Sequence, residues 1–240
     1  MNRSIIILLS FLTCVVNAQE TSEKELLWNY PVKPGTEEWE SFKTGQEKYD
    51  ACLIPQDVLA SLTTKDLAEI CMNYPMFLNF IYFNDERKGM SFIIERFNGL
   101  KELSVRKDGV QTLINIYRDY PILSEVQYDV SSKDFYTPYR LLYLELLLAD
   151  DVFMKQLNEQ QVAELGKIIL NKYEQKLANA HVYSLMNIQK TFLLGAVVIE
   201  RYRISDKSPE QQNVIRQYIE NYHHPDPTLL SEISKIISAL

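Results

Sequence analysis

The residues here that could do acid–base or metal chemistry are three histidines and a scatter of carboxylates. His223 and His224 sit side by side in NYHHPDP, with Glu220 and Asp226 close by. A zinc site wants its ligands at a fixed helical spacing, as in H-E-x-x-H. Neighbours in an extended loop point to opposite sides, so this stretch reads as a solvated turn whose Asp226 caps the next helix. His181 would serve as a general base only beside a partner such as Glu174, and no spacing argument supplies one. Acidic groups recur at Glu37-Glu38-Glu40, Asp85-Glu86 and Asp150-Asp151. Most are expected near helix starts, where a negative charge meets the positive end of the helix dipole. The same groups could furnish a carboxyl pair about 5 to 9 Å apart, the arrangement that cleaves glycosidic bonds. No residue is assigned a catalytic or metal-binding role, and no cofactor is expected.

Aromatic residues are the compositional oddity, with 15 Tyr, 10 Phe and 2 Trp. Most belong to packing between helices. Tyr136, Tyr139 and Tyr143 recur at helical spacing and are the candidate binding residues, because tyrosine offers contact area at low entropic cost. Cys52 and Cys71 have three readings, of which a thiol nucleophile has no basic residue or histidine close in sequence to support it. In an oxidising compartment they can pair, closing a loop worth about 3 kcal/mol. Otherwise each packs as a small apolar group.

Several functions lose their support. The chain carries a formal charge of −7 and no basic run. Affinity for nucleic acid comes mostly from Lys and Arg, so nucleic acid is excluded as a partner. No phosphate-binding glycine loop, nucleophile elbow or Cys-x-x-Cys is present.

Residues 1–18 read as a cleaved signal peptide. Arg3 supplies the positive start, Ile5 to Val16 the apolar run, and Val16-Asn17-Ala18 the small-residue cleavage site. The apolar run falls short of the roughly 20 residues a membrane span needs. An exported, periplasmic or extracellular protein is expected, with no transmembrane segment after cleavage. A lipid anchor on Cys14 is the lesser reading, because Phe11-Leu12-Thr13 fits a lipobox poorly.

The elements that must position these side chains are helices. Gly is scarce, at 7 residues, and helix punctuation is frequent. Residues 19–35 form a polar lead-in made extended by Pro31 and Pro34. Residues 36–240 form one helical domain with a weak internal boundary near 128–137. Caps are expected at Thr36, Thr44, Thr63, Asp85, Thr137, Asn158, Ser208 and Asp226. CMNYPMF and YRDYPIL share a Tyr-Pro pair at a spacing near that of HEAT and armadillo repeats. Both are read as joints where a helix stops and restarts. TFLLGAVVIE is apolar nearly all round and is expected to be the central buried helix, with Gly195 allowing close approach. VQYDV is the nearest candidate for a strand. The expected fold is all-α, with about nine to eleven helices in antiparallel pairs, stacked in an irregular HEAT- or armadillo-like manner.

Three stretches, YPVKPGTEEW, IPQDVLASLTTKDLAEICMNYPMFLNF and FNGLKEL, resemble the N-terminal part of a group of exported bacterial all-helical proteins of no known activity. The resemblance runs from about Tyr30 to Leu103. It implies a helical exported protein and brings no catalytic or binding residues with it. The expectation is a binding role at the bacterial cell envelope, toward an envelope protein or glycan. The alternative is a small helical enzyme acting on polysaccharide or cell-wall material through paired carboxylates.

Overall fold

The computed structural model describes residues 28–125, 127–129, 131 and 133–238. The expected signal peptide and most of the lead-in lie outside the described residues. The described chain is all-α, and no strand occurs among the described residues. Its first half holds α1 (Glu37–Ser41), α2 (Gly45–Ala51), α3 (Gln56–Ser61), α4 (Thr64–Met72), α5 (Glu86–Arg96), α6 (Asn98–Val105) and α7 (Gly109–Asp119). Its second half holds α8 (Thr137–Ala149), α9 (Asp151–Met154), α10 (Glu159–Ala178), α11 (Leu185–Tyr202), α12 (Pro209–Asn221) and α13 (Pro227–Ile237). Short 3₁₀ turns span Phe77–Tyr82, Lys133–Tyr136 and Ile204–Asp206.

Most of the α-helices begin where a side chain can satisfy free N–H groups of a first turn, though α3, α6, α7 and α8 do not. Thr44 accepts from Glu47 N at 3.3 Å, and the Glu47 carboxylate accepts from Thr44 N at 2.8 Å. Asn158 with Gln161 and Ser208 with Gln211 form the same reciprocal box. Thr36, Thr63, Asp85 and Asp226 cap by single bonds, whereas Thr137 is the first residue of α8 and Tyr136, which makes no side-chain cap bond, stands at the cap position. Such a cap is worth about 1 kcal/mol.

Three expectations change. MFLNFIYF is a 3₁₀ turn, not an α-helix. After Pro121 none of the described residues before Lys133 is helical, so the two Tyr-Pro joints differ in structure. VQYDV contains a turn in which Gln127 N and Tyr128 N both reach Ser124 O at 3.0 Å. Tyr74 is buried and stacks on Phe97 at a centroid distance of 4.3 Å.

The core converges on α11, whose residues from Asn187 to Ile199 are all buried. Helix α10 runs antiparallel to it, with Arg203 on Glu159 at one end and Lys176 on Thr191 toward the other. Helix α12 is antiparallel to α11 as well, through Arg216–Glu200 and Tyr218–Gln189. Helix α8 lies parallel to α11, because Asn187 binds Pro138 O and Thr191 binds Glu145 further along both. Helix α7 likewise runs parallel to α10, with Gln111 near Gln161 and Tyr120 near Lys172. Antiparallel pairing therefore describes part of the packing only. Helix α13 crosses at Gly195, where an added Cβ would lie 3.1 Å from the Ile237 side chain.

Candidate functional site

The parallel course of α8 and α11 brings their N-termini to one end of the molecule, and α10 finishes there. That end collects large apolar side chains in water: Tyr136 and Tyr139 at the start of α8, Leu185 and Met186 at the start of α11, and Leu177 near the end of α10. Phe135 packs between the two tyrosines, 5.2 Å from Tyr136 and 5.6 Å from Tyr139. Phe77 meets Tyr136 at 6.2 Å, and its 3₁₀ turn then leads along α8 to Ile81 and Tyr82, the latter 81% exposed. Soluble proteins seldom gather exposed apolar groups this way, and such patches mark contact surfaces.

Of the three tyrosines expected to bind, Tyr136 and Tyr139 stand on this surface. Tyr143 does not, and its assignment is corrected: it is 0% exposed. Its ring packs on Phe77 and Phe80, and its hydroxyl reaches Cys71 O at 3.4 Å. One further turn of α8 carries the stripe into the core. Sequence reasoning missed Leu185, Met186 and Leu177, because exposed apolar residues look like core residues until the burial of their helix is known.

Beside this end lies a cluster of ionisable groups. Lys190, one turn beyond Met186 on α11, is buried with its ammonium 3.2 Å from Glu86 Oε1 and 4.2 Å above the Tyr222 ring. The Tyr222 hydroxyl lies 3.0 Å from Asp85 Oδ1 and 3.0 Å from Glu86 Oε2. His223 Nδ1 lies 2.9 Å from Glu86 Oε2. Burial pushes the Lys190 pKa down, against the pull of Glu86, and pushes the Tyr222 pKa up. Burial also pushes Asp85 up, but hydrogen bonds from Tyr222 and the α5 backbone hold it below the usual carboxylate range. Carboxylates converge here beside a histidine, as the alternative hydrolytic chemistry would require. Their inner oxygens are occupied by Tyr222, Lys190 and His223, so the cluster is built as a tie between elements. His224 and His181 are exposed.

The remaining chemistry is internal. Cys52 and Cys71 are free and buried, so the disulfide reading is corrected to two separate thiols. Desolvation raises the Cys52 thiol to about 12 and pushes Cys71 well up, which removes the nucleophilic thiolate. A cavity of about 300 Å³ adjoins the cluster between α5 and α8, lined in part by Asp85, Arg87, Ser91 and Asp150. Asp150 is already engaged there, by Val152 N and by Ser91 Oγ at 2.7 Å. Two wider depressions, of about 670 and 620 Å³, flank Arg118 on α7. That guanidinium pairs with Glu164. No group of residues suited to holding a metal ion occurs among the described residues, and no described helix is long and apolar enough to cross a membrane. No protein family, curated protein or solved structure matches the chain.

Proposed function

We propose that the chain is an exported binding module of the bacterial cell envelope, and that the apolar end formed by α8, α10 and α11 receives its partner. One observation carries this reading: five exposed large apolar side chains gather where α8 and α11 begin and α10 ends. Aliphatic groups such as Leu185 and Met186 contribute as much as the tyrosines, which favours a protein surface over a glycan. Methionine repacks readily against varied partners. Tyrosine gives rigid area with a polar tip that tolerates water when unbound. The neighbouring carboxylates, engaged by protein groups, favour binding over the polysaccharide-cleaving alternative.

A photo-crosslinking residue placed at Tyr139 or Met186, in the protein incubated with envelope extract, tests the reading. The expected outcome is a discrete protein adduct at both positions and none at the exposed control position Val105. Equal labelling at all three positions, or none, would sink it. An adduct to glycan alone would reassign the partner.

A further inference from the structure

Helices α12 and α13 form a C-terminal hairpin that rests on α11. Among the described residues, the hydrogen bonds and ion contacts that join this hairpin to the first half of the chain run through Tyr222 and His223. They reach Asp85 and Glu86, more than 130 positions earlier, at the start of α5. The two rings lie in contact, tilted by 34° at a centroid distance of 3.9 Å. We propose that this pair is a proton-operated latch, in which protonation of His223 releases the α12–α13 hairpin from α5.

The groups facing His223 decide the sign. Glu86 and Asp85 come from α5, Lys190 from α11, and Tyr222 and His224 from its own turn. The carboxylate nearest the imidazole already holds the buried Lys190 ammonium, so a second cation adds little there. The other ring nitrogen, Nε2, is buried without a hydrogen-bond partner. In the neutral ring it is a lone pair left dry. In the charged ring it becomes a donor with no acceptor, and a buried charged donor left unpaired is the more costly case. Geometry thus favours the neutral ring in the closed state. Burial, opposed by Glu86, correspondingly holds the His223 pKa below its ordinary 6.5. In an opened hairpin the ring regains water and its ordinary value. Closed, the latch therefore binds fewer protons than open, and its stability is complete above about 6.5 and falls as pH drops through the lowered value.

Amide hydrogen exchange of the described fold between pH 7.5 and 5.0 tests this, corrected for intrinsic exchange, with the histidine titrations followed by NMR. Protection at Ile215, Tyr218 and Ile233 should fall about fivefold or more toward the acid end, with Leu144 and Ile169 unchanged. His223 should titrate below its ordinary 6.5. In His223→Gln the hairpin protection should become flat with pH. Tyr222→Phe, which keeps the ring over Lys190, should loosen the hairpin at every pH and leave the slope intact. A pH-independent hairpin, a slope that survives His223→Gln, or a His223 midpoint at or above 6.5 would each overturn the latch. Should His223→Gln fail to fold, the wild-type titration decides alone.

Discussion

Lys176 Nζ lies 2.9 Å from Glu145 Oε1 and 2.8 Å from Oε2, and both side chains are essentially inaccessible to water. Thr191 donates to Glu145 Oε1 at 2.9 Å and accepts from Lys176 at 3.0 Å. Tyr117 adds a third donor to Oε1 at 2.9 Å. Helices α7, α8, α10 and α11 are thereby joined by one closed polar network. Burial lowers the Lys176 pKa, opposed by Glu145, and raises that of Tyr117.

Removing one partner leaves the other charge buried and unpaired. Lys176→Met is expected to destabilise by about 3 to 5 kcal/mol in urea denaturation. The double change Glu145→Leu with Lys176→Met should recover much of that loss, because an apolar pair of similar volume leaves no charge to desolvate. A double variant no more stable than the single one would show that Tyr117 and Thr191 depend on the carboxylate more than this account allows.

Gly89 of α5 faces the 3₁₀ turn that carries Tyr82. A Cβ there would lie 2.7 Å from the backbone oxygen of Phe80 and 2.8 Å from its Cα. Backbone cannot swing away as a flexible side chain does. Gly89→Ala should therefore destabilise by about 1 to 3 kcal/mol, despite the better helix propensity of alanine. A variant as stable as the wild type would mean that the turn slides on α5 at little cost.

The caps were legible because they are local: Thr44 with Glu47 and Ser208 with Gln211 announce a helix within four residues. The apolar middle of α11 was legible because a helix without a polar face must be buried. Asn98 was legible only in part. Phe97-Asn98-Gly99 reads as a stop, and α5 does end there. A new helix starts at once, because the Asn98 side chain bonds Ile54 N at 3.0 Å and Ile54 O at 2.8 Å and so fixes the break in place. The polar ties were not legible. Glu145 meets Lys176 across 31 positions, and Glu86 meets Lys190 across 104. Nothing in local spacing marks such partners, and a buried lysine looks in sequence like a solvated one. The apolar end was hidden for a related reason: it exists only because α8 and α11 run parallel.

The two cysteines give a third test. With desolvation holding Cys52 near 12 and Cys71 well up, neither forms appreciable thiolate at neutral pH. An aromatic disulfide reagent at pH 8 should react with neither in the folded protein, and with both after denaturation. A raised acid pKa stabilises the fold while the unfolded thiol is also protonated. That contribution is lost as pH climbs above the ordinary value of 9.0, so thiol labelling should accelerate there through unfolding. Rapid labelling at neutral pH would show that the α2–α4 region opens on its own.

Tyr139 and Tyr143 lie four residues apart on α8 and should respond in opposite ways. Tyr143→Ala removes a fully buried ring held between Phe77 and Phe80, and a loss of about 3 to 5 kcal/mol is expected from the cavity. Tyr139→Ala removes a side chain that is 37% exposed and leans on Phe135, and the loss of stability should stay near about 1 kcal/mol. The binding consequence runs the other way. With the photo-crosslinking residue moved to the exposed Leu185, Tyr139→Ala combined with Tyr136→Ala and Met186→Ser should abolish the protein adduct in a variant that still unfolds cooperatively in urea. If the triple variant keeps its adduct, the apolar end is not the contact surface. If Tyr139→Ala alone unfolds the protein, the start of α8 belongs to the core instead.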